Sequence, residues 1–194
     1  MDTTNSISLK DTTANPAPLG LLGFGMTTIL LNIHNAGFYG LNSMIIGMGI
    51  FMGGFAQIVA GIQEWKKNNT FGATAFTSYG AFWLSLVAIW LIPNTSMGSA
   101  YKSDELSIGC YLLVWGIYSF FMFIGSLKHN MTSRIVFASV TLLFFLLAIG
   151  DLTGNVMIKK VAGFEGIFCG LSAFYSAVAQ ILNNEYGKKV LPLG

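Results

Sequence analysis

The chain has 194 residues, of which 54% are hydrophobic and only 9% charged, with a formal net charge of +2. A water-soluble domain carries about 25% charged residues, so an ordinary soluble globule is excluded, and no basic patch rises to a nucleic-acid footprint. The charges sit in clusters that leave continuous apolar runs of membrane-spanning length, unlike the roughly ten-residue alternating segments of a membrane β-barrel. The expected fold is an all-α integral membrane protein.

In chain order, Met1 to Ala14 reads as a polar tail. It lacks the basic-then-apolar order of a cleavable signal, so the first apolar run is expected to stay in the mature protein. That run opens span one, from Pro18 to Ala36. Span two follows from Met44 to Gly61, and span three from Gly72 to Ile92, stopped by Pro93. After a longer loop, Asn94 to Glu105, span four covers Leu106 to Leu127 and span five Ile135 to Leu152. Asp151 to Lys160 is read as a turn, span six as Val161 to Leu182, and residues 183–194 as a tail. The six-span domain thus occupies residues 15–182. Seven of the ten Lys and Arg residues fall on the side that holds the termini and three on the other. The excess of positive charge on one side predicts cytoplasmic N- and C-termini.

The opening Asn15-Pro16-Ala17-Pro18-Leu19-Gly20 has a mechanical reading. The first N–H groups of a helix have no internal acceptor, so prolines cost little there, and Asn15 can cap. Ala17, ahead of Pro18, is biased away from helical angles, which predicts a sharp start at Pro18. The exposed N–H groups could also attract an anion. Spans one, three and five run parallel. Phe24, Tyr79 and Val140 lie six, seven and six positions in from Pro18, Gly72 and Arg134, which is roughly 9–10 Å of helix in each case. Three such side chains at one depth could close a ring. The small-xxx-small pairs Gly49–Gly53 and Gly166–Gly170 read as tight helix packing, or as a trace of duplicated helix pairs.

The spans are expected to hold no Lys, Arg, Asp or Glu at mid-membrane, with Glu64, Asp151 and Glu165 near span ends. The interior offers neutral groups instead, Thr27, Thr28, Asn32, Gln57, Thr77, Ser78, Tyr79, Ser139, Thr141, Asn155 and Gln180. Asn15, Thr27, Thr28, Asn32, Ser78, Ser139, Thr141 and Asn155 are the candidates for a weakly polar path. That suits a channel or facilitator better than a pump built on an acidic relay. An enzyme is not expected. His34 and His129 accompany no nucleophile motif, no HExxH or Cys/His spacing marks a metal site, and Cys110 and Cys169 read as small buried hydrophobes. Neither cofactor nor metal is expected.

The ten residues from Asn15 to Phe24 match the signature N-P-A/V-P-L/F-G-L-x-G/S/A-F and resemble the acetate uptake transporter family, in its bacterial succinate–acetate permease branch. Collinear blocks at Leu30–Gly37, Asn69–Trp83, Leu146–Gly150 and Val190–Gly194 extend the resemblance to the end of the chain. It implies a six-span protomer, a homohexamer with one pore per protomer, and passage of acetate, in some members also succinate. It also implies a narrowest point made by Phe24, Tyr79 and a leucine, where this chain has Val140 between Ser139 and Thr141. The valine is one methylene shorter, so a wider ring is expected. Proton-coupled acetate symport, a urea or amide channel, and a non-conducting membrane sensor or scaffold remain open as alternatives.

Overall fold

The computed structural model describes residues 13–96 and 98–194, so most of the expected N-terminal tail lies outside the described residues. Among the described residues six helices are long and apolar enough to cross a membrane, as expected. They are α1 (Ala17–Asn35), α2 (Ser43–Lys66), α3 (Thr70–Leu91), α4 (Glu105–Ser126), α5 (Met131–Thr153) and α6 (Val156–Glu185).

Several helices outrun their apolar stretch because each begins at a polar cap beyond it. Asn42, Asn69, Asp104, Asn130 and Asn155 each accept backbone N–H groups of the first turn of α2 to α6 in order, satisfying donors that have no intrahelical acceptor. The start of α1 differs from expectation. Ala17 is its first residue, despite preceding Pro18, and the Asn15 Oδ1 accepts the Ala17 N–H at 3.1 Å, holding it in the first turn. The turn expected over Asp151 to Lys160 is also much shorter. Gly154 closes α5 in the left-handed region at φ 64°, and Asn155 caps α6 at the next residue. Asp151 therefore belongs to α5, and Lys159 and Lys160 belong to α6.

The helices form a ring in chain order. Helix α1 packs on α2 and α6, α2 on α3, and α5 on both α4 and α6. Glycines set the closest walls. A Cβ on Gly163 would lie 2.2 Å from the Ala36 nitrogen, and one on Gly25 2.8 Å from the Gly170 carbonyl oxygen, so α1 and α6 touch backbone to backbone. Gly53 of the first expected glycine pair lies under the Trp83 ring on α3. That segment of α2, Gly49–Ala56, is wound as a π-helix.

The wall between α3 and α4 is built differently. Hydroxyl pairs close it: Ser78 with Tyr118 at 2.7 Å, Tyr79 with Ser119 at 2.8 Å, and Ser85 with Tyr111 at 2.7 Å. The start of α1 and the end of α6 lie on one face of the bundle, where Asn15 Nδ2 donates to Gln180 Oε1 at 3.0 Å. The expected C-terminal tail folds back on that face. Asn183 Oδ1 accepts the N–H groups of Val190 and Leu191, and the Leu193 carbonyl accepts from the Thr132 N–H at 3.0 Å. This face is called the terminal face below, and the opposite one the far face.

Candidate functional site

Two cavities enter the ring from opposite faces. The first, of about 190 Å³, opens on the terminal face, and Phe24, Tyr79 and Val140 all line it. Three residues expected to share a depth on α1, α3 and α5 therefore face one space. Phe24 and Tyr79 have ring centroids 5.9 Å apart, and all three side chains are buried. Tyr79 is fixed from behind by the Ser119 hydroxyl and by the rings of Trp115 and Tyr118. Of the interior neutral groups expected from sequence, Gln57 and Gln180 line this cavity along with Tyr79; Glu64, Asn69, Asn130 and Ser133 line it too and were not expected to. Glu64 is buried and accepts a hydrogen bond from Asn69 Nδ2 at 2.7 Å. The Gln57 Oε1 is buried with no protein partner. Gln57 and Glu64, seven residues apart on α2, are the sequence signal that could have pointed there.

The second cavity, of about 570 Å³, opens on the far face, with Leu31, Phe82, Leu86 and Leu147 at its walls and His34, Asp151, Lys159 and Lys160 among its polar residues. No residue lines both cavities. Their lining residues nevertheless continue one another along three helices. On α1 the stripe runs Phe24, Thr28, Leu31; on α3 it runs Tyr79, Phe82, Leu86; on α5 it runs Val140, Phe144, Leu147. Spacings of three, four and seven place each set on one helix face. Between the cavities lies an apolar layer, where the Phe144 ring sits 5.0 Å from Phe82 and 6.5 Å from Tyr79.

The eight expected path residues line neither cavity. Most have their polar groups committed within the protein. Thr27 donates to the Met48 carbonyl, at the start of the π-helical segment, and Asn32 to the Thr28 carbonyl. Ser139 and Thr141 donate to the carbonyls of Ile135 and Phe137, one turn back on α5. Ser78 belongs to the α3–α4 wall, Asn155 caps α6, and Asn15 bonds Gln180 at the rim. Thr28 stands apart. It is 2% exposed, its hydroxyl has no protein partner, and it occupies the middle of the α1 stripe, in the layer between the cavities.

The expectation for acidic residues needs one correction. Glu165 is the tenth of the 30 residues of α6, roughly 14 Å along the helix from its start. It lies well inside the span, with Oε2 buried and unpartnered. Helix α6 starts five residues before the apolar run does, which moves Glu165 inward. Among the described residues no group of His, Cys, Asp or Glu side chains is placed to hold a metal ion.

A ring of six membrane helices with a cavity at each face, separated by a thin aromatic layer, defines a membrane transport protein for small solutes. The chain belongs to the GPR1/FUN34/yaaH family, whose model matches residues 3–192. It is 55% identical over 181 residues to the succinate-acetate/proton symporter SatP of Escherichia coli K12, covering 93% of this chain and 95% of that one. It is 34% identical to acetate permease A of Emericella nidulans, covering 93% of this chain and 65% of the fungal one. The solved structure of the bacterial acetate channel SatP superposes with a TM-score of 0.92 at 54% identity, covering 94% of this chain and all of that one.

Proposed function

We propose that the chain is a channel or facilitator for acetate and related small carboxylates, with one pore per protomer of a homohexamer. It would lie in the cytoplasmic membrane with both termini in the cytoplasm. The observation that carries this reading is the alignment of the three stripes, which run from Phe24, Tyr79 and Val140 at the terminal-face cavity to Leu31, Leu86 and Leu147 at the far one. The bacterial relatives, named for acetate transport, give the solute.

The layer between the cavities shapes the mechanism. Acetic acid titrates near a free carboxyl side chain, at about 4–4.5, so the anion dominates at neutral pH. A bare carboxylate in an apolar layer is costly. Phe24, Tyr79 and Val140 would exclude wide or strongly hydrated solutes, and the unpartnered Thr28 hydroxyl would offer a hydrogen bond within the apolar layer. Reconstituted protein that leaves liposomes impermeable to labelled acetate would overturn the proposal.

A second reading, proton-coupled uptake, has its own support. The layer is apolar, Thr28 is its one unpartnered hydroxyl among the stripe residues, and Glu165 is a carboxyl inside the span. If the neutral acid crosses, transport is electroneutral, and flux at fixed total acetate rises about tenfold for each unit of pH lost above the acid's own pKa. A current that follows a voltage step, with flux flat between pH 6 and 8, identifies the anion as the crossing species instead.

A further inference from the structure

We propose that the far cavity is an electrostatic capture site for carboxylates, set by Lys160 and moderated by the Asp151–Lys159 pair. The proposal rests on the transport reading above and gives the far face a chemical role within it.

The far face as a whole is balanced in charge. Lys102, Lys159 and Lys160 stand against Asp104, Glu105 and Asp151. The cavity is not balanced, because two of those lysines line it and only one of the carboxylates does. Within it, Lys159 Nζ bonds Asp151 Oδ1 at 2.5 Å, bridging α6 to the end of α5. The stem of Lys159 lies against Gly150, where a Cβ would come within 2.7 Å of its Cγ. Lys159 is thus committed to its partner. Lys160 is exposed and has no carboxylate partner among the described residues. Its Cε reaches the turn after α1, 3.9 Å from the position of a Cβ on Gly37. The same turn holds His34, whose Nδ1 donates to the Tyr39 carbonyl at 2.7 Å, which leaves Nε2 as the ring's free nitrogen.

The cavity is several times larger than the one at the terminal face, so it does not grip a two-carbon acid by shape. Its excess positive charge, held between low-dielectric walls, raises the local concentration of anions instead. This makes a signed prediction, since removing Lys160 and removing Asp151 change the cavity charge in opposite directions.

Initial uptake of labelled acetate and labelled succinate is measured in right-side-out membrane vesicles carrying wild type, Lys160→Gln, Lys160→Arg or Asp151→Asn. Measurements at about 0.01 M and about 1 M salt set the Debye length at about 30 Å and about 3 Å. At low salt Lys160→Gln lowers kcat/KM for acetate by about two- to five-fold, through KM, and Asp151→Asn raises it by a similar factor. Lys160→Arg matches wild type, and the differences vanish at high salt. Succinate, with two charges, responds by about the square of the acetate factor. The proposal is overturned if both neutralising variants move uptake the same way, or if their effects persist at high salt.

Succinate binding to the purified protein by calorimetry is read alongside, in the expected order Asp151→Asn, wild type, Lys160→Gln from tightest to weakest. Wild-type vesicles that pass no acetate while this order holds overturn the transport reading and leave the capture site standing. Normal flux without the order overturns the capture site alone.

Discussion

The two cavities differ in size and in charge. The terminal-face cavity is small, about 190 Å³, and ends on side chains locked by neighbours: Tyr79 by Ser119, Trp115 and Tyr118. The far cavity is about 570 Å³ and carries ammonium and carboxylate groups at its walls. On the proposed reading, shape is read where the walls are packed and apolar, and charge is gathered where they are wide and charged. Discrimination between acids of similar charge would then belong to the terminal side.

The strongest way to break this division is Tyr79→Ala. It removes a buried ring from the aromatic cluster, with an expected cost of about 3–5 kcal/mol, and it takes away most of the barrier between the cavities. Thermal unfolding of the purified protein should shift downward, and surviving protein should pass larger carboxylates along with acetate. Ser119→Ala is the milder version. It leaves the Tyr79 hydroxyl buried without a partner, costing about 1–3 kcal/mol, and frees the ring to move. Melting temperature and the ratio of lactate to acetate flux should fall and rise respectively.

Val140→Leu sharpens the division instead. The added methylene narrows the ring, and a methylene in an apolar site is worth about 1–3 kcal/mol of discrimination. Lactate-sized acids should lose more flux than acetate in paired liposome assays, and equal losses would show that Val140 does not set the width. The smallest effect lies on the far face. Hydrogen bonds from the Ser107 side chain, and next from its backbone N–H, hold the Asp104 carboxyl below its usual range. A lowered native pKa stabilises the fold above the ordinary carboxylate pKa, and that contribution is lost as pH falls through the lowered value. Asp104→Ala should therefore weaken the start of α4 at neutral pH and flatten the acid side of the stability profile, with no change in flux selectivity.

Much of the fold was legible because lipid leaves a backbone few choices. Every N–H and C=O in the bilayer must be satisfied within the segment, so an apolar run of sufficient length is a helix. That Phe24, Tyr79 and Val140 line one cavity was legible because parallel helices bring residues at equal distance from their starts near one another. The hydroxyls were not. Ser139 and Thr141 each bond a carbonyl on their own helix, and nothing in their identity separates them from Thr28, whose hydroxyl has no such partner. The charges of the α5–α6 hairpin misled for another reason. Asp151, Lys159 and Lys160 look like a polar turn in sequence, yet one left-handed glycine and one capping asparagine suffice to reverse the chain. The lysines then become helical residues at a cavity wall, and Glu165 moves inward with them.

The backbone contact between α1 and α6 bears on biosynthesis. Helix α1 leaves the ribosome well before α6, in which it finds one of its walls, with more than a hundred residues between Gly25 and Gly170. Contacts so distant in sequence form late. Until α6 is inserted, the stripe on α1 that carries Phe24 and Thr28 belongs to an unsealed ring, so a nascent chain arrested before its last span has no closed conduit to leak.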